Sequence, residues 1–355
     1  MKKRKVLVLG NFGFANHDLS GQTVKTRVTK ELFEKYYQIE NLDFFDTQTL
    51  CDKKNVFILF KKVVSCNKMI YLPAHGNLKY LFPIYYVLSR MFGFEIIYSV
   101  IGGWLVPYLK TKPMHRWMLK RIKVVLAETK RMKNELEHVY GFENVDVLYN
   151  FRTVDFQPQV LNHEALRLAF MARIDPNKGL DTIFNFCKMI DRMSPKLKIT
   201  VDFYGPCDQE MPEETFLASI SDFEFVKYHG ALEPEKIHSV ISNYDVLLLP
   251  THYYTEGLPG SIIDAYMAGL PVIVSDWMHA REFVIDGQSG IIIPFEHHQN
   301  AFNEAVLRMY NNRDLLRMMK LGAIKQSQKF TAPYAWKTIS PYIQGNRKSL
   351  YINDH

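Results

Sequence analysis

The stretch from Leu249 to Asp276, LPTHYYTEGLPGSIIDAYMAGLPVIVSD, constrains the fold more than any other part of this chain. It starts inside the apolar run DVLLLP, passes a glycine-rich turn at Gly257 to Ser261, and ends in a second apolar run, PVIVSD. Between them, Ser261 to Gly269 has the length and apolar spacing of a helix closed by glycine. Two short buried strands joined by one helix form a parallel pair, and a parallel sheet needs helices on both faces.

The turn also carries chemistry. First-turn amides of a helix have no backbone partners and, with the helix dipole behind them, favour a phosphate. Gly257, Leu258, Pro259, Gly260 and Ser261 make up this cradle, and Glu256 stands just before it, placed to accept hydrogen bonds from a hydroxylated ligand. Earlier in the chain, FMARIDPNKGLDTIF (Phe170 to Phe184) repeats the order of strand, loop and helix, with Arg173 and Lys178 on the loop. Two cations so close together suit a diphosphate; solvated surface charges are the plainer alternative.

Together, MARIDPNKGLD and EGLPGSIIDAYMAGLPVIVSD resemble the nucleotide-binding half of retaining glycosyltransferases of family 4, the GT-B class of glycosyl transferases group 1. FYGPCDQ, KYHGAL and SGIIIP extend the resemblance over most of residues 165 to 330. It implies a GT-B fold: two Rossmann-like doubly wound α/β domains facing a central cleft. It also implies donor binding by the 257–261 turn and catalytic roles for Glu256, Arg173 and Lys178. The family's second glutamate, which holds the nucleoside ribose, falls on Asp264. Aspartate is one methylene shorter, so its oxygens reach roughly 1.5 Å less far. Complementing the helix dipole is the simpler role for Asp264.

The first half alternates in the same way, with VLVLG, QIENLD, MIYLPA, FEIIYSV, KVVLAE and VDVLYN as strands between helical stretches. Ligands of open α/β sheets bind at the carboxyl ends of strands. The loop Gly10 to Val28 has no GxGxxG; by resemblance its Ser20–Gly21–Gln22–Thr23 segment closes over donor and acceptor, with Gly21 permitting close backbone approach. In the loop YSVIGGWLVP, whose Gly102 and Gly103 are candidate acceptor or sugar contacts, many family members place a sugar-contacting histidine where this chain reads Val100–Ile101–Gly102, and this chain lacks it. His75, in LPAHGNLKY, is a candidate substitute, or else a local hydrogen-bond donor.

We therefore expect an N-terminal acceptor-binding domain over 1–155, a nucleotide-sugar-binding domain over 156–330, and a C-terminal helix over 331–355 that crosses back to the first domain or packs on its own. Charge divides along the same line: residues 1–150 hold 24 Lys and Arg against 13 Asp and Glu, and the remainder 20 against 24. In KTKPMHRWMLKRIK, Lys112, Arg116, Lys120 and Lys123 share one quadrant of a helical wheel. Such a helix suits an anionic membrane surface or a lipid-diphosphate acceptor, and is otherwise a solvated face. No nucleic-acid-binding module accompanies the charge.

The four cysteines show no CxxC or zinc spacing and read as reduced thiols of a cytoplasmic protein. The apolar run after the basic N-terminus is too short for a signal peptide, and no run of eighteen apolar residues exists. There is no D-x-D triplet, so no metal or other cofactor is expected. The expected activity moves a sugar from a nucleotide-diphosphate sugar to a hydroxyl of a glycan or lipid-linked acceptor, with retention of configuration. Its setting is surface polysaccharide or glycolipid synthesis, peripheral on the inner face of the cell membrane. The alternatives are a catalytically weak nucleotide-sugar-binding or scaffold protein and a GT-B nucleotide-sugar epimerase.

Overall fold

The computed structural model describes residues 5–14 and 21–344. The chain forms two compact units, one made of residues up to 154 together with the chain from 329 onward, the other of residues 155–328.

Unit 1 is built on six strands, β1 (Lys5–Gly10), β2 (Leu42–Asp46), β3 (Cys66–Leu72), β4 (Glu95–Ser99), β5 (Val124–Ala127) and β6 (Val145–Val147). All pair in parallel, in the order β2-β1-β3-β4-β5-β6. The helices between them are α1 (Gly21–Tyr36), α2 (Lys53–Ser65), α3 (His75–Tyr80), α4 (Phe82–Phe92), α5 (Leu105–Lys110), α6 (Pro113–Leu119) and α7 (Lys130–Tyr140). Side chains alternate across a strand, so Leu7 and Leu9 enter one core while Val6 and Val8 enter another on the opposite face. Burial on both faces explains why the strand reads as a continuous apolar run.

Unit 2 repeats the plan with β7 (Leu166–Met171), β8 (Ile199–Tyr204), β9 (Val226–Tyr228), β10 (Val246–Leu249), β11 (Val272–Ser275) and β12 (Gly290–Ile293). Its order is β12-β11-β10-β7-β8-β9, again parallel throughout. Its helices are α8 (Leu180–Asp191), α9 (Glu213–Ile220), α10 (Ile237–Ile241), α11 (Gly260–Met267), α12 (Ala280–Phe283), α13 (Gln299–Asn311) and α14 (Arg313–Ser327). A last helix, α15 (Ala332–Gln344), belongs to unit 1, where Ala332, Ala335, Ile339 and Ile343 enter the core shared by Val6 and Val8. Trp336 stacks on Tyr36 of α1, with centroids 5.6 Å apart and planes 15° apart.

Three local expectations are corrected. QIENLD is not one strand: residues Ile39–Asn41 form a 3₁₀ turn and β2 begins at Leu42, which pairs with Val6. Among the described residues β1 has only Lys5 before that point, so the earlier residues have no ladder to join. The helix at the glycine-rich turn is Gly260–Met267, with Gly269 beyond its end at φ +79°. The basic helix is much shorter than the wheel required. Helix α6 ends at Leu119, whose carbonyl oxygen accepts from Asn144 Nδ2 at 2.9 Å, as does that of Ile122 at 3.0 Å. Lys112 and Lys120 flank the helix as caps and Lys123 lies beyond it, bonded to Glu95 at 2.6 Å. The four cations therefore do not share a helical face.

Candidate active site

In unit 2 the sheet order reverses between β7 and β10, and the loops leaving these two strands diverge at that switch point, where α/β sheets bind ligands. Arg173 and Lys178 leave β7; Glu256 follows β10. Two glycines let these loops close up. Gly179 has φ +81°, and a Cβ there would lie 2.0 Å from the Pro250 carbonyl oxygen. Gly205, after β8, has φ +136° and would put a Cβ 1.8 Å from the Ala172 oxygen. Backbone bonds finish the seam: His252 N donates to Asn177 O at 2.8 Å and Asp208 N to Ile174 O at 3.1 Å.

This close approach joins Lys178 Nζ and Glu256 Oε2 in an ion pair, both side chains being mostly buried. Arg173, more exposed, donates to Asp208 at 3.0 Å, and its guanidinium holds the Asp208 carboxyl below the usual carboxylate range. Each cation thus arrives with a carboxylate partner. An incoming diphosphate would exchange one anion for another rather than meet an uncompensated charge.

Beyond Glu256, the turn leads to α11 with Pro259 extended at its N-cap and Gly260 and Ser261 in its first turn. Leu258 is buried, and Trp277 Nε1 donates to the Gly257 carbonyl at 3.3 Å, which fixes the turn from below. Asp264 lies past the first turn, where the dipole has faded, so dipole complementation accounts poorly for it. The residue is 3% exposed, and its carboxylate Oδ1 lies 3.1 Å from His238 Nε2 of α10.

In unit 1 the order reverses between β1 and β3. Gly21 is the first residue of α1 rather than part of a loop, with none of the described residues within 4 Å of a Cβ built there; Ser20 lies outside the described residues. His75, exposed at the start of α3 after β3, meets Trp104 and Tyr108 edge-on at 4.9 and 5.0 Å between centroids. Gly102 takes φ +77°, and Gly103 follows it into the turn before Trp104. The Gly102 amide donates to Glu128 Oε2 at 2.9 Å. Glu128, just after β5, is buried against Lys25 of α1 at 2.7 Å, and Lys25 also donates to the Val100 carbonyl at 2.5 Å. Burial pushes the Lys25 ammonium below the ordinary lysine value, while Glu128 opposes the shift.

Comparison with known proteins decides the family of the second half. Residues 151–326 match the model of the family described as glycosyl transferases group 1. This stretch is a group 1 glycosyltransferase domain. The chain is 22% identical over 267 residues to an uncharacterized 41.2 kDa protein in the cps region of Klebsiella pneumoniae, covering 68% of this chain and 70% of that one. It is 25% identical over 187 residues to the amylovoran biosynthesis glycosyltransferase AmsK of Erwinia amylovora, covering 51% of this chain and 45% of AmsK. Among solved structures, Anabaena Alr3699/HepE in complex with UDP superimposes with a TM-score of 0.72 at 14% identity, over 96% of this chain and all of the other. The architecture is that of the GT-B class, two parallel six-stranded α/β units.

Within the glycosyltransferase domain, the sequence-based expectations placed Glu256, Lys178 and Arg173 on loops that the structure brings to one switch point. Asp208 and His238, which engage Arg173 and Asp264, were not anticipated. Neither were Lys25 and Glu128 in the other unit. A signal for Glu128 did exist, since KVVLAE puts a carboxylate right at a strand's carboxyl end.

Proposed function

We propose that this chain transfers a sugar from a nucleotide-diphosphate sugar to a hydroxyl of a glycan or lipid-linked acceptor, with retention of configuration and without a metal. The observation that carries this reading is the pairing of Lys178 with Glu256 at the switch point of unit 2, beside the N-terminus of α11. The diphosphate would take the place of Glu256 on Lys178, and of Asp208 on Arg173, leaving Glu256 to orient the hydroxyls of the sugar. As the bond from the anomeric carbon to the diphosphate breaks, charge gathers on the phosphate, and preorganised cations act most strongly on that charge. The acceptor oxygen forms its bond to the same carbon from the face the diphosphate leaves, and its proton passes to the leaving phosphate oxygen. Asp264 would contact the ribose by turning from His238. His75, beside Trp104 and Tyr108, and the Gly102–Gly103 turn, held at Gly102 by Glu128, would line the sugar or acceptor side.

UDP in the HepE structure makes uracil the first base to test, and the amylovoran biosynthesis named for AmsK makes polysaccharide synthesis the first setting. The experiment is release of nucleoside diphosphate from a panel of UDP-, GDP- and ADP-sugars, with and without an acceptor extract. EDTA should leave the rate unchanged; abolition by EDTA with recovery on magnesium or manganese would refute the metal-free mechanism. A nucleotide-sugar-binding protein without turnover is the second reading, favoured by the Asp264 contact with His238. It would give a thermal shift with the donor and no release. An epimerase would convert the donor without transfer.

A further inference from the structure

Three neighbouring helices of unit 1 leave large apolar side chains in solvent. On α4, Ile84, Val87 and Met91 recur at the spacing of one helical face and are 54%, 54% and 70% exposed. On α2, Val56, Phe57 and Phe60 fall within an arc of about 100° and are likewise exposed. Helix α6 adds Met114 and Trp117. Ring contacts join the three: Phe60 meets Phe92 at 6.5 Å and Trp117 meets Tyr86 at 5.6 Å. Scattered apolar residues are ordinary on a surface, but a continuous patch of this kind marks a contact site.

The charge around the patch is one-sided. From Lys53 to Ala127 the chain holds thirteen Lys and Arg and a single acid, Glu95, which Lys68 and Lys123 already neutralise. Several of these cations border the aromatic rings, with Lys61 4.5 Å from the Phe57 centroid and Arg121 4.4 Å from that of Trp117.

We propose that α2, α4 and α6 form a membrane-docking face that enters the headgroup boundary of an anionic bilayer, apolar side chains down and cations at the rim. A bilayer supplies both the hydrocarbon that Ile84, Val87 and Met91 need and the negative charge that the rim needs. A second copy would bring the same excess of cations face to face. A nucleic acid would offer phosphate but no hydrocarbon. The proposal does not depend on the transfer reading, because attachment is measured without donor or acceptor. It replaces a stripe of lysines on one helix with a face of three helices in which the apolar residues are indispensable.

The test is flotation of the full chain with phosphatidylcholine vesicles, with and without phosphatidylglycerol, at low and high salt. The wild type should bind the anionic vesicles. The variant Phe57→Gln/Val87→Gln/Met91→Gln should bind at least tenfold more weakly with an unchanged thermal midpoint, since all three side chains are exposed. Trp117→Phe should remove a blue shift of tryptophan emission that accompanies binding. Failure of the wild type to float with anionic vesicles would overturn the proposal. So would equal binding by the triple variant, which would mean purely electrostatic attraction, or dimerisation of the wild type that the triple variant abolishes.

Discussion

At the scale of single residues, the two ion pairs at strand ends make different demands. Under the proposed mechanism Lys178 and Glu256 would exchange partners on donor binding, whereas Lys25 and Glu128 are buried and hold a loop. Glu256→Gln should lower turnover more than tenfold while free nucleoside diphosphate still binds, read by product release and by thermal shift. Lys25→Met strands a buried carboxylate, and breaking one side of such a pair typically costs about 3–5 kcal/mol. Urea unfolding should report a loss of that order, and Lys25→Met/Glu128→Gln should recover part of it. Glu256 and Lys178 were legible because their chemistry sits inside short local patterns that survive without knowledge of the fold. Lys25 was not, because its partner lies far along the chain and a lysine within an apparently amphipathic helix reads as solvated. Asp264 was legible as a position but not as an environment: His238 reaches it from another helix.

Helices and strands divide by the range of the forces that end them. The strands of both units announce themselves through runs such as VLVLG and DVLLLP, buried on both faces and therefore apolar throughout. The end of α6 is set instead by Asn144, a side chain from a distant segment, and so the pattern through Lys123 overstated the helix. The exposed face of α4 was hidden for a related reason: FPIYYVLSRMF is apolar around most of its circumference and reads as a buried helix. At the loops, Gly179→Ala should destabilise unit 2 by more than about 1 kcal/mol, since αL strain alone reaches that value before the clash with Pro250 is added. Chemical denaturation checks the stability, and donor-induced thermal shift should fall with it as the loops part. For β4, burial raises the Glu95 pKa, but Lys123 and Lys68 together hold it below the usual value of 4.5. A depressed carboxyl contributes stability above its unfolded pKa and loses it as pH falls through the folded one. Glu95→Gln should therefore be less stable than wild type at neutral pH, and the gap should close under acid, as urea midpoints across pH would record.

For the molecule as a whole, the return of α15 to unit 1 matters most. Ile339 is fully buried in the core with Val6 and Val8, so Ile339→Ala should cost about 2–5 kcal/mol, seen as an earlier urea transition. The loss belongs to unit 1 and should spare the thermal stabilisation by nucleoside diphosphate that the proposed donor site in unit 2 predicts. The sequence suggested such a crossing through the aromatic spacing of TAPYAWKTISPYIQ, yet could not choose between the two units. That choice rests on Trp336 finding Tyr36 and Phe33, a tertiary match with no local signature.

The same helix sets an order of events during synthesis. Unit 2 is one uninterrupted stretch, complete once residue 328 has left the ribosome, while unit 1 waits for the chain from 329 onward to supply the wall that covers β1. The half made first is thus the half finished last. Until α15 arrives, Val6, Val8 and Phe33 lack part of their cover, so apolar surface stays open on the unfinished unit while the rest of the chain is made.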